Sequence, residues 1–324
     1  MFDLPNFKIQ YSTFEDRRSM FYVSRSQSGF NVQRSKFSFR RSTFNVLFLL
    51  AASLLGQTQS DLDTQRLYRI SQQEQKIYHR LETDPDFYTD DDLEHELGEV
   101  LRAYSNYLSE NPEDVSALVL YGKLLRRAGK NDLAFKVFLK ADELDPAIAV
   151  VKQQIGNHLA ETGNGKAALT FYLNAVELEP EVPEYNYALG EILHIFRDEF
   201  LSDQLFTRDA IDREMLKAFR MAARMDPENF DMQMRLGEAY YDLENPDWKN
   251  ALLHWEKLRK ATPDYNELRC QILDLHRARV LVTLGRQQEA DELLNEVTQP
   301  GLQTTRQQIL EEIARHRREP PTSF

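Results

Sequence analysis

The chain has 324 residues, 42% of them hydrophobic, with only 12 glycines and 12 prolines. That is enough apolar surface for one large or two ordinary domains, and too little Gly and Pro for a disordered or all-β chain. The formal charge is −12, and residues 1–60 hold eight Lys and Arg against three Asp and Glu, which leaves −17 for residues 61–324. Such an acidic body repels nucleic-acid phosphates, and a single cysteine, Cys270, excludes an intrachain disulfide and any cysteine-based metal site.

The first 60 residues read as a basic N-terminal extension. Within them, RSKFSFRRSTFNVLFLLAASLLGQTQS (34–60) places four basic residues before an apolar run from Phe44 to Leu55, then small and polar residues. This order is that of a secretory signal, and the run is shorter than the ~20 residues that span a bilayer as a helix. Export to the periplasm or cell envelope is the expectation, with cleavage between Ser53 and Ser60. The alternatives are an uncleaved inner-membrane anchor or a cytoplasmic protein, and Met20 offers a second possible start. Membrane contact is expected only through this segment.

Residues 61–112 read as a degenerate helix pair, with a first helix over 61–81 and a second over 93–112. Between them, DPDFYTDDDLEHE invites a calcium reading, but Tyr88 and Thr89 stand where an EF-hand loop needs an oxygen ligand and a glycine. Thr89 with Asp92 three residues on predicts a helix cap instead.

From residue 115 the chain repeats itself. VSALVLYGKLLRRAGKNDLAFKVFLKADELDP (115–146) and AVVKQQIGNHLAETGNGKAALTFYLNAVELEP (149–180) align with Gly122 on Gly156, Leu125 on Leu159, Ala134 on Ala168, Phe138 on Tyr172, Ala141 on Ala175 and Pro146 on Pro180, every pair 34 apart. Small residues at these slots let paired helices approach closely while the aromatic fills the space beside them. GNGK at 163–166 looks at first like a phosphate loop, yet Ala160 and Ala167 break the Walker spacing, and Gly163 and Gly165 read as freedom for an inter-helix turn. Later units keep the register with changes. Gly190, Phe219 and Pro227 mark a unit (183–229) with an insertion over 196–212, FRDEFLSDQLFTRDAID; Gly237, Ala251 and Trp255 mark the next (230–265); Ala278, Gly285 and Ala290 mark a divergent fifth (266–300). Residues 301–324 read as a polar capping helix and tail.

The period and its Gly, Tyr, Ala, Phe and Pro slots resemble the tetratricopeptide repeat family. The resemblance implies an all-α solenoid of stacked antiparallel helix pairs, and a protein or peptide ligand held in a concave groove lined by first helices. Carried over slot by slot, that lining is Lys123, Arg126, Arg127, Gln153, Asn157, Tyr187, Glu191, His194, Glu238 and Tyr241. Lys123 and Arg127 are taken as surface cations whose charge could be reversed with the fold intact. Family members that bind chaperone tails carry a lysine and asparagine clamp; here its slots hold Val119, Lys123, Gln154, Glu184 and Ala188, so chaperone binding is not expected.

No catalytic, cofactor or metal constellation stands out. The seven histidines are scattered, with no HExxH, no GxSxG and no Gly-rich turn after a strand. The sequence therefore predicts a non-enzymatic scaffold or adaptor without cofactor. A different class, an auxiliary or catalytic envelope enzyme, would need a deep pocket with converging titratable groups.

Overall fold

The structure is a computed structural model and describes residues 59–202, 206–264 and 266–318. The expected signal-like segment, the second start and Leu205 of the insertion lie outside these residues. Among the described residues the chain is all helix and turn, with no strand, and no helix is long and apolar enough to cross a membrane.

The fold is an all-α solenoid of helix pairs, divided at Glu179/Pro180 into two compact units. The first contains α1 (Gln59–Thr83), α2 (Asp90–Glu110), α3 (Val115–Arg127), α4 (Asn131–Leu144), α5 (Ala149–Glu161) and α6 (Gly165–Leu178). Thr89 caps α2 through a capping box with Asp92, as the sequence predicts. Asp114 caps α3 and Asn164 caps α6, each side chain accepting a backbone N–H of the first turn. The helices stop where the repeat says they should: Asp145 leaves helical geometry just before Pro146, and the turns after α3 and α5 pass through Gly129 (φ +70°) and Gly163 (φ +80°). Gly165, by contrast, opens α6 without a positive φ, so only the first of the two glycines is needed for its freedom.

Inside each regular pair one aromatic plugs the gap between helices. Phe138 and Tyr172 are buried against Gly122 and Gly156, with Ala134, Ala141, Ala168 and Ala175 fully covered around them. Leu97, Tyr104 and Tyr107 of α2 extend the same core toward α1.

The second unit contains α7 (Pro183–Ile195), α8 (Arg197–Ser202), α9 (Arg208–Met225), α10 (Phe230–Ala239), a 3₁₀ turn (Tyr240–Asp242), α11 (Trp248–Ala261), α12 (Glu267–Thr283), α13 (Gln287–Asn295) and α14 (Gln303–Arg318). The insertion becomes α8 and the extended start of α9, and it packs on its own unit: Phe200 and Ile211 are buried, while Phe206 stays exposed at 44% with its ring edge-on to Phe200. Phe219 and Trp255 take the aromatic slots facing Gly190 and Gly237. Cys270 is buried, as a small apolar filler would be. α14 lays Ile309 and Ile313 inward and keeps a polar outer face.

Candidate partner-binding site

The residues expected to line a groove fall into two groups, one in each unit. In the first unit, α3 ends on two arginines that reach in opposite directions. Arg127 turns back to α1, where its Nη1 lies 3.2 Å from the Glu74 carboxylate and its guanidinium sits over the Tyr78 ring at 4.5 Å. Arg126 reaches forward to α5 and grips Glu161 with both Nη atoms, one bond at 2.9 Å and the other shorter.

Glu74 is buried and also accepts from the Tyr104 hydroxyl at 3.0 Å. Burial pushes its carboxyl above the ordinary range, against the opposing pull of Arg127 and Tyr104. Lys123, one turn before Arg127, is half-buried; burial lowers its ammonium, Arg127 lowers it further, and Glu74 works the other way. Arg127 is therefore no bystander. Reversing its charge would set a carboxylate against the buried Glu74, so the expectation of an intact fold does not carry over from sequence to structure. Asn157 accepts from the Tyr172 hydroxyl at 2.6 Å, tying the α5 surface to the aromatic plug, and Gln153 is buried.

In the second unit the predicted residues meet in a charged seam. Glu191 on α7 accepts from Arg235 Nε of α10 at 2.5 Å, and Arg235 Nη1 lies 3.1 Å from Asp242 in the 3₁₀ turn. The Arg235 guanidinium also covers the Phe219 ring at 4.3 Å, and Tyr187 meets that ring edge-on at 5.8 Å. His194 Nδ1 is 3.2 Å from Asp242 Oδ2; burial pushes its imidazole below the ordinary 6.5, with Asp242 and Glu191 pulling upward and Arg235 and Arg197 downward.

Tyr241 follows in the turn. Its hydroxyl lies 3.1 Å from His276 Nδ1 of α12, and its ring stacks near-parallel on His276 and Trp255. Burial pushes its phenol up. Glu238, half-exposed on α10, bears electrostatically on both Arg235 and Tyr241.

The partners that complete these contacts, Glu74, Glu161, Arg235, Asp242 and His276, were not legible as site residues one by one. A signal did exist for one of them. Glu161 occupies the slot of Arg127 one 34-residue period on, so charge reverses at a single slot of consecutive first helices. Among the described residues, no three His, Cys, Asp or Glu side chains gather as a metal-binding group.

Residues 99–147 match the model of the tetratricopeptide repeat family. The chain carries tetratricopeptide repeats. A curated relative, the DnaJ homolog subfamily C member 7 homolog of Schizosaccharomyces pombe, is 30% identical over 35% of this chain; the match spans 28% of that relative's length. Among solved structures, the tetratricopeptide repeat chain superposes on YrrB, described as a TPR protein with an unusual peptide-binding site, with a TM-score of 0.50 and 15% identity over 67% of this chain and 99% of that one. MamA from Desulfovibrio magneticus RS-1 (residues 41 to end) aligns at 20% identity over 59% of this chain and 93% of its own, with a TM-score of 0.43. The likeness to YrrB is one of fold.

Proposed function

We propose that this tetratricopeptide repeat chain is a non-enzymatic scaffold, exported to the cell envelope, that binds a protein or peptide along the first helices of its repeats. The observation that carries the reading is the way each unit ties successive first helices together. Arg127–Glu74 and Arg126–Glu161 do so in one unit, and Glu191–Arg235 and Tyr241–His276 in the other. Half-exposed side chains beside these ties, Lys123, Asn157, Tyr187 and Glu238, are held on helices. A partner meeting them loses less freedom on binding than one that must first order a loop. The peptide-binding site in YrrB's name is consistent with this use of the fold. Export is supported by the basic-then-apolar order of residues 34–55.

Photo-crosslinking in the native host tests the surface. A crosslinker at position 123, 187 or 238 should give discrete protein adducts, and one at the exposed second-helix residues Leu139 or Leu173 should not. Adducts from the second-helix positions alone would move the binding surface off the first helices. N-terminal sequencing of the mature chain tests export: a start between residues 53 and 60 is expected, and a retained N-terminal segment would leave an anchored or cytoplasmic scaffold.

A further inference from the structure

The insertion of the second unit is fastened by buried charge rather than by apolar packing alone. Arg208 at the start of α9 holds both oxygens of Asp212 through Nε (2.9 and 3.0 Å) and donates from Nη2 to the backbone oxygen of Asp242 at 2.8 Å. Asp212 in turn accepts the Glu244 backbone N–H at 2.7 Å and lies 3.2 Å from Arg197 of α8. These bonds join α8 and α9 to the 240–244 stretch across some 30 residues of sequence. Asp242 is the shared point, because its carboxylate also meets Arg235 of α10 and His194 of α7.

We propose that His194 makes this seam a pH-responsive latch, closed while the imidazole is neutral and loosened when it takes a proton. The groups facing His194 are Glu191 of its own helix, Arg197 of α8, Arg235 of α10 and Asp242 of the turn. With a neutral imidazole, the guanidiniums of Arg197, Arg208 and Arg235 stand against the carboxylates of Glu191, Asp212 and Asp242 in direct contact. A proton on His194 adds a fourth cation beside Arg197 and Arg235. Nδ1 lies 3.2 Å from the same Asp242 oxygen that Arg235 already holds, and completes no hydrogen bond to it.

Burial and two arginines disfavour the protonated form in the closed seam, so an opened seam binds the proton better. By linkage, acid drives opening: the latch is intact above the ordinary imidazole value of 6.5 and weakens as pH falls below it. Opening would uncover Phe200 and Ile211, the buried apolar side chains that the insertion carries. The proposal stands independently of what the repeats bind.

Hydrogen–deuterium exchange of the full chain at pH 7.5, 6.5 and 5.5, corrected for intrinsic exchange, tests it. Protection across 197–202, 208–212 and 240–247 should fall toward pH 5.5, by at most about tenfold for each pH unit crossed, while α12 keeps its protection. In His194→Gln the same segments should show a flat profile. An unchanged acid response in His194→Gln overturns the latch, as does its loss in His254→Gln or His276→Gln, which remove two further histidines of this unit, one half-buried and one buried. If His194→Gln folds poorly, the wild-type chain supplies the second test: the His194 ring, followed by NMR, must titrate with the midpoint at which protection is lost. Separate midpoints overturn the proposal.

Discussion

The two units solve one packing problem with different materials. In the 59–179 unit the α3–α4 and α5–α6 pairs repeat at a strict 34-residue period, and their seams are closed by a small residue facing one aromatic ring, with single ion pairs linking first helices. In the 180–318 unit the period is broken by the insertion, and the extra backbone is tied down by a network of three arginines, three carboxylates and a histidine. A regular repeat is thus stabilised locally, pair by pair, whereas an interrupted one relies on residues distant in sequence that must all be present together.

The sharpest way to break this contrast is to remove one cation from each unit. Arg235→Met leaves Glu191 and Asp242 half-buried without their shared guanidinium and should cost about 3–5 kcal/mol. Arg126→Met orphans only Glu161 and should cost about 1.5–3 kcal/mol. Urea unfolding of both variants checks the order; equal losses would mean that the network is no more cooperative than a single pair.

A second contrast uses the glycine slots. A Cβ at Gly237 would sit 2.2 Å from the buried Trp255 ring, whereas at Gly156 it would sit 3.3 Å from Tyr172, within reach of a small adjustment. Gly237→Ala should therefore destabilise by about 1–3 kcal/mol through overpacking. Gly156→Ala should stay within about 1 kcal/mol of wild type, because the better helix propensity of alanine offsets the tighter contact. Calorimetric melting of the two variants would reverse this order only if the Trp255 ring can shift more easily than the Tyr172 ring.

The smallest expected effect is on pH dependence, and it has opposite signs in the two units. His194 and His254 both have imidazoles lowered from 6.5, chiefly by burial, so the stability they contribute is present above that value and is lost as pH falls below it. Glu74, raised from 4.5 by burial, contributes stability at low pH that is lost as pH rises through its folded value. Both tryptophans of the chain, Trp248 and Trp255, lie in the second unit, so their fluorescence reports on that unit alone. The fluorescence-detected urea midpoint should drop between pH 7.5 and 5.5, and more than the midpoint of far-UV circular dichroism, to which both units contribute. Coincident midpoints at every pH would show that the units unfold together.

Much of the helix pairing is legible in the amino-acid sequence. The 34-residue spacing of Gly122, Phe138 and Pro146 with Gly156, Tyr172 and Pro180 predicts helix pairs, because glycine, aromatic and proline each have one physical use at those slots. The cap at Thr89, the turn at Gly163 and the break at Asp145 are likewise local choices, fixed by residues within a few positions of each other. The ten side chains expected to line a groove sit on α3, α5, α7, α10 and the turn that follows it, but their surroundings were not legible. Arg127 reads as a free surface cation until Glu74, 53 residues upstream, is placed beside it, and the burial of Gln153 is set by what packs on α5.

The class of structure and the register of its helices are thus properties of the sequence, since short-range propensity and periodic burial are written in neighbouring residues. Which charges meet is a property of the tertiary fold. Asp242 is joined to His194, Arg208 and Arg235 across as many as 48 positions of chain, and nothing in local spacing distinguishes a carboxylate that will be buried among guanidiniums from one left in water. The insertion shows the same division: its apolar residues announce a helix that must be covered, while the partner that latches it is set by how the chain folds back.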